Sequence, residues 1–149
     1  MIKKINNKNE EIASKILEIF QASYIIEAKL LNVVNFPPLN RTIKQFINSN
    51  NDFYAHFLDG CITGVIEIVD FKDSIHIQSL VVYPKNFRKG IGSSLVEFVL
   101  GRYNSMQFTV ETGIDNYPAI NLYKSFGFEK QRQFNTNHGV IKGSYKRTI

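Results

Sequence analysis

Leu80-Val81-Val82-Tyr83-Pro84-Lys85-Asn86-Phe87-Arg88-Lys89-Gly90-Ile91-Gly92-Ser93-Ser94-Leu95 is the stretch on which the fold turns. Its apolar opening reads as the end of a strand, stopped at Pro84, which cannot donate to a sheet ladder. After a basic turn, Ile91, Leu95, Phe98 and Val99 share one face of a helix that runs out near Gly101. Glycines at two alternate positions, Gly90 and Gly92, let the backbone approach a ligand closely. The unpaired N–H groups of the helix's first turn point at that ligand with the positive end of the helix dipole. Together with Arg88 and Lys89 they suit a pyrophosphate. The competing reading is a basic solvated turn that needs glycine only for its angles. Two familiar phosphate loops are excluded: Leu95 stands where a dinucleotide-binding turn has its third glycine, and Gly92 is followed by Ser93-Ser94 rather than by the lysine of a Walker loop.

Outward from this turn the hydrophobic period changes twice. From Glu10, the positions Ile12, Ile16, Leu17, Phe20 and Tyr24 predict an amphipathic first helix, broken by Phe36-Pro37-Pro38. Thr42, Ile43, Phe46 and Ile47 predict a short second helix. Phe53 to Leu58 and Cys61 to Val69 alternate as strands joined at Asp59-Gly60, a hairpin signal. Ser74 to Tyr83 is the next strand, with Ile75, Ile77, Ser79 and Val81 expected on one face and His76, Gln78, Leu80 and Val82 on the other. Downstream come a strand from Phe108 to Thr112, a helix from Pro118 to Phe126 stopped by Gly127, and closing strands Phe128 to Phe134 and Val140 to Ile149. Two helices, a meander and strand-helix-strand-helix-strand make an α/β layer fold with a mixed sheet.

Composition narrows the function classes. The 149 residues are 44% hydrophobic and 21% charged, with a net charge of +5 that favours an anionic partner without naming it. A single cysteine, Cys61, and three scattered histidines exclude a disulfide framework and familiar zinc spacings, so no metal is expected. No apolar run suits a signal peptide or a membrane span, and a cytoplasmic protein without a membrane partner is expected. Nucleic acid is not expected either, for want of an aromatic binding strand or a basic recognition helix.

Leu80-Val81-Val82-x-Pro84 with Arg88-Lys89-Gly90-Ile91-Gly92-Ser93 opening a helix resembles the acetyl-CoA-binding segment of the GCN5-related N-acetyltransferase (GNAT) family. Phe87 departs from the Arg or Gln usual at its position, but the resemblance implies pyrophosphate binding mainly through backbone N–H groups. A second segment, Asn116-Tyr117-Pro118-Ala119-Ile120-Asn121-Leu122-Tyr123 with Gly127-Phe128, is similar to the other half of the same signature. The implied fold is a GNAT-like mixed, mostly antiparallel twisted sheet flanked by about four helices, forming one domain over residues 1–149.

The implied activity is acetyl transfer from acetyl-CoA to a primary amine by direct attack, without metal. Such a reaction needs a neutral amine, oxyanion stabilisation and a proton for the departing thiolate. The resemblance makes Tyr123 the general acid, and Asn116 a partner of the pantetheine arm as well as a helix N-cap. It makes the N–H of Val82 the oxyanion donor, beside a strand bulge. Three residues are candidates for the base: Glu111, which aligns with the proton acceptor of ribosomal-protein alanine acetyltransferases, His76, and Glu67 on the neighbouring strand. The acceptor pocket is expected to be shaped by Tyr24, Glu27, Phe36 and Tyr117, and Arg132 with Lys142, Lys146 and Arg147 to form a solvated face. The acceptor is a small-molecule amine or a peptide or protein amine. A homodimer is the base-rate expectation. The alternative function is a non-catalytic acyl-CoA-binding or regulatory module.

Overall fold

Asp59 and Gly60, both with positive φ, turn β2 (Asp52–Leu58) back on β3 (Cys61–Asp70), and the rest of the sheet grows from this hairpin. The computed structural model describes residues 1–148, so the last residue of the expected closing strand, Ile149, lies outside the described residues. Beyond the hairpin lie β1 (Ile2–Ile5), β4 (Ile75–Val82), β5 (Gln107–Gly113), β6 (Glu129–Asn135) and β7 (Ile141–Thr148). The helices are α1 (Glu10–Leu30), α2 (Ile43–Asn48), α3 (Ile91–Arg102) and α4 (Tyr117–Ser125), with a 3-10 turn at Pro37–Asn40. The sheet order is β1-β2-β3-β4-β5-β7-β6, and β4 and β5 are its parallel pair. The mixed, mostly antiparallel sheet with four helices matches the expected fold class.

Helices cover both faces. On one side Phe20 and Ile16 of α1 and Phe46 of α2 pack on Phe53, Ala55 and Val65. On the other, Leu95 and Val99 of α3 with Ile120 and Tyr123 of α4 pack on Ile66, Ile77, Phe108 and Phe128. α1 starts where the Asn9 side chain accepts from the Ile12 N–H at 3.0 Å, and it continues past Tyr24 to Leu30. That extra turn and a half carries Glu27 over the sheet. No helix among the described residues is long and apolar enough to cross a membrane.

Two results differ from the periodicity. β1 has no sequence signature because Lys3 and Lys4 alternate with nothing buried but Ile5. β4 also does not keep one face. Its register against β3 shifts so that Glu67 faces Ser79 while Ile68 faces Ile77, leaving Gln78 as an extra residue. A one-residue bulge reverses the side-chain alternation beyond it. Ile75 and Ile77 therefore pack with the α3 and α4 side, together with Leu80 and Val82, whereas Val81 belongs to the α1 and α2 core.

Candidate active site

The bulge also opens the sheet. β4 pairs with β5 only from Ile75 to Ile77, against Phe108 to Val110, and the strands separate beyond. On the other edge of β4, the Tyr83 N–H donates to the Thr63 carbonyl at 3.0 Å. An antiparallel ladder bonds alternate residues, so Val81 and Ser79 are also turned toward β3. The N–H groups of Leu80 and Val82 face the other way, into the gap left by β5. An open gap lined with main-chain donors is the central feature of the site.

Two cavities meet there. The first, about 480 Å³, is lined by Leu80, Val82, Asn86, Phe87, Arg88, Gly90, Ile91 and Gly92, together with Asn116 and Leu122. The N-cap of α3 is Gly90 at φ 76°, which offers no side-chain cap, so the first-turn N–H groups are left for a ligand. A Cβ on Gly64 would lie 2.8 Å from Ile91 Cγ2, and this tight seat fixes the helix start against the sheet. A Cβ on Gly90 would meet nothing within 4 Å, leaving backbone-wide space over the turn. Among the described residues the Oδ1 of buried Asn86 has no hydrogen-bond partner, and Asn86 belongs to the same cavity wall. Uncapped N–H groups, adjacent positive charge on Arg88 and an unpartnered polar group fit a phosphate-bearing pantetheine cofactor. Arg88, Gly90, Ile91 and Gly92 line this cavity. Lys89 and Ser93 are exposed beside it, and Val81 sends its side chain into the core.

The second cavity, about 660 Å³, lies across the sheet under α1 and the Pro37–Asn40 turn. Tyr24, Glu27 and Phe36 line it with Ser79, Glu111, Tyr123 and Lys142. Tyr117 does not; it is 63% exposed on the outside of α4. Lys142 departs from its expected place on a solvated face, since β7 pairs with β5 and brings Lys142 opposite Gly113 at the cavity wall. Tyr123 packs edge-on against Phe128, and burial, with Tyr24 and Glu27 nearby, pushes its phenol above its ordinary range. It is therefore protonated at neutral pH.

The candidate bases separate clearly. Glu67 is 0% exposed, and its oxygens accept from Arg41 at 2.6 and 2.8 Å, Asn51 at 2.8 Å and Ser79 at 3.0 Å. This carboxylate is an anchor whose lone pairs are already engaged. His76 lines neither cavity; its Nδ1 lies 2.8 Å from the Thr109 hydroxyl, and burial lowers its pKa. Glu111 lines the second cavity. Glu27, placed by the sequence only as a pocket wall, is pushed up to about 7, chiefly by burial. It accepts from Asn116 Nδ2 at 2.9 Å, while Asn116 Oδ1 accepts the Ala119 N–H at 3.3 Å and so caps α4. Arg41 and Asn51 carry no motif; the packing around β3 brings them onto Glu67.

Comparison with known proteins agrees with this architecture. The chain is 31% identical over 142 residues to UPF0157 protein YqkA of Bacillus subtilis, a match covering 95% of this chain and 41% of that one. It is 34% identical over 74 residues to an N-alpha-acetyltransferase of Saccharolobus solfataricus, covering 47% of this chain and 40% of the relative. The chain thus spans less than half the length of these two relatives. The ribosomal-protein-S18-alanine N-acetyltransferase of Escherichia coli superposes with a TM-score of 0.79 at 17% identity, covering 100% of this chain and 93% of the other. The PaiA N-acetyltransferase of Thermoplasma acidophilum, solved with coenzyme A, superposes with a TM-score of 0.78 at 14% identity, covering 100% and 98%. At these identities the superpositions speak for the fold. The sequence profile of the acetyltransferase (GNAT) family matches residues 13–128, and the chain belongs to that family.

Proposed function

We propose that the protein transfers an acetyl group from acetyl-CoA to a primary amine by direct attack. The observation that carries this reading is the meeting of the two cavities at the opened β4–β5 gap, where Leu80, Glu27 and Ala119 line both. A thioester entering along the α3 side and an amine entering under α1 would meet at that point. Acetyl-CoA supplies an activated acyl group on a thiolate leaving group; all else is the work of the chain. The first turn of α3 binds the pyrophosphate with Arg88 beside it, and Asn86 and Asn116 orient the arm. The N–H of Leu80 faces the gap at the junction itself, whereas that of Val82 lies farther along the groove, so Leu80 is the better placed oxyanion donor. Tyr123 holds the proton for the departing sulfur.

Of the two base candidates kept from the sequence, Glu111 faces an entering ammonium and His76 stands behind the wall. The acceptor cavity has Glu27 and Glu111 within reach of a cation, which supports a protonated amine as the acceptor. The N-alpha-acetyltransferase among the similar sequences supports a peptide α-amine as the acceptor. One experiment covers both halves of the reading: thermal denaturation with acetyl-CoA, followed by CoA release with peptide N-termini, polyamines, amino acids and aminoglycosides. At 100 times its dissociation constant acetyl-CoA stabilises the fold by about 2.7 kcal/mol, a rise of roughly 5–10 °C. Gly92→Val, which fills the groove wall, lacks this rise. No shift with wild type removes the cofactor site. A shift without CoA release on any amine makes the protein a binding module.

A further inference from the structure

Among the carboxylates near the site, position singles out Glu27. Glu111 lines only the acceptor cavity, and Glu67 is consumed by Arg41, Asn51 and Ser79. Glu27 lines both cavities, and of the three residues that do so it alone carries a titratable side chain. Its hydrogen bond to Asn116 ties it to the N-terminus of α4, the helix that carries Tyr123. A base at this place stands where the amine and the thioester would meet.

Resting on the acetyl-transfer reading, we infer that Glu27 is the proton acceptor for the incoming amine, and that Glu111 draws the ammonium into the cavity. The ammonium loses one proton to the Glu27 carboxylate, which passes it to solvent. The freed nitrogen lone pair forms the new C–N bond; the C–S bond breaks with its electron pair on sulfur, and sulfur takes the Tyr123 proton. The nitrogen's second proton goes to Glu27 and then replaces the one Tyr123 gave up. Both residues return to their starting states, and each turnover releases one proton.

The environment of Glu27 suits the role. Burial raises its pKa to about 7, against Lys142 of β7 and the Asn116 amide, which lower it. The phenols of Tyr24 on α1 and Tyr123 on α4 complete the ionisable surroundings, and both are held neutral by their own raised pKa values. Such a carboxylate is ionised on about half the molecules at neutral pH yet is basic enough to take a proton. Ionised Glu27 is the active form, so kcat/KM climbs as pH rises through about 7.

The test is a pH–rate profile for a peptide with a free N-terminal amine, for wild type, Glu27→Gln and Glu111→Gln, with infrared titration of the wild-type and Glu27→Gln proteins. Glutamine keeps the oxygen that accepts from Asn116, so the fold is retained. Glu27→Gln is expected to lose the limb near pH 7 and about 10²-fold in kcat, and to lack a protonated-carboxyl band that titrates near 7 in wild type. Glu111→Gln is expected to keep the limb with a raised KM. A limb that survives in Glu27→Gln, or the absence of that band from wild type, overturns the assignment while leaving acetyl transfer standing. Failure of wild type to acetylate any amine removes the reading on which it rests.

Discussion

Tyr123→Phe lowers kcat for acetyl transfer by about 10²- to 10⁴-fold and leaves CoA affinity nearly unchanged, the range by which a positioned general acid accelerates a reaction. The substitution removes one oxygen. The ring keeps its edge-on contact with Phe128, 5.5 Å between centroids, and its place in the core beside Ile120. No group of the chain hydrogen-bonds the Tyr123 hydroxyl among the described residues, so its loss leaves no buried partner unpaired and stability hardly changes. Because the phenol acts on the leaving sulfur, kcat and kcat/KM fall together. CoA affinity measured by calorimetry, beside kcat from CoA release, separates the cases. Equal turnover in the variant denies Tyr123 the acid role; a matching loss of CoA affinity makes it a binding residue.

Arg41→Met is the substitution with the largest expected effect on stability. Glu67 is wholly buried, and the bidentate Arg41 guanidinium is its only counter-charge within salt-bridge distance among the described residues. That guanidinium also lies over the Phe46 ring, 4.2 Å from its centroid. Removing one partner of a buried pair strands the other charge, a cost of about 3–5 kcal/mol. The chain should then lose roughly 10 °C or more in Tm. Arg41 also joins the segment between the Pro37–Asn40 turn and α2 to β3, so the acceptor cavity loses its floor and KM for the amine rises. The double variant Arg41→Met/Glu67→Met recovers much of the stability, because no charge remains to be buried. Denaturant midpoints decide the matter: a single variant within about 1 kcal/mol of wild type would show that Asn51 and Ser79 alone satisfy Glu67.

The contrast between these residues shows what the sequence can and cannot disclose. Gly90, Gly92, Asn116 and Tyr123 belong to contiguous segments whose spacing carries their meaning, so both strand-to-helix segments stand out in the sequence alone. The hairpin at Asp59-Gly60 and the helical stripe from Ile12 to Tyr24 were equally plain, because local chemistry decides them. The bulge at Gln78 is implied by the family resemblance alone, since strict alternation along Ile75 to Val82 can be written without an extra residue. It takes Ser79 and Val81 off the face of Ile75 and Ile77, where strict alternation would put them. Glu27, Arg41, Asn51 and Lys142 come from four separate parts of the chain: the docking of α1 and the pairing of β5 with β7 bring Glu27 and Lys142 to the cavity walls, while Arg41 and Asn51 meet on Glu67 of β3. A charged residue at helical spacing reads as solvated surface until its helix is placed.

The central claim is that acetyl donor and amine occupy adjoining cavities at one time and react directly across the gap beside Leu80. Initial-rate kinetics with acetyl-CoA and an acceptor peptide both varied test it most directly. Simultaneous occupancy predicts double-reciprocal lines that intersect, with no acetylated protein after incubation with acetyl-CoA alone. Parallel lines together with a stoichiometric acetyl-enzyme would mean that the acetyl group passes first to a residue of the chain, and would contradict the account.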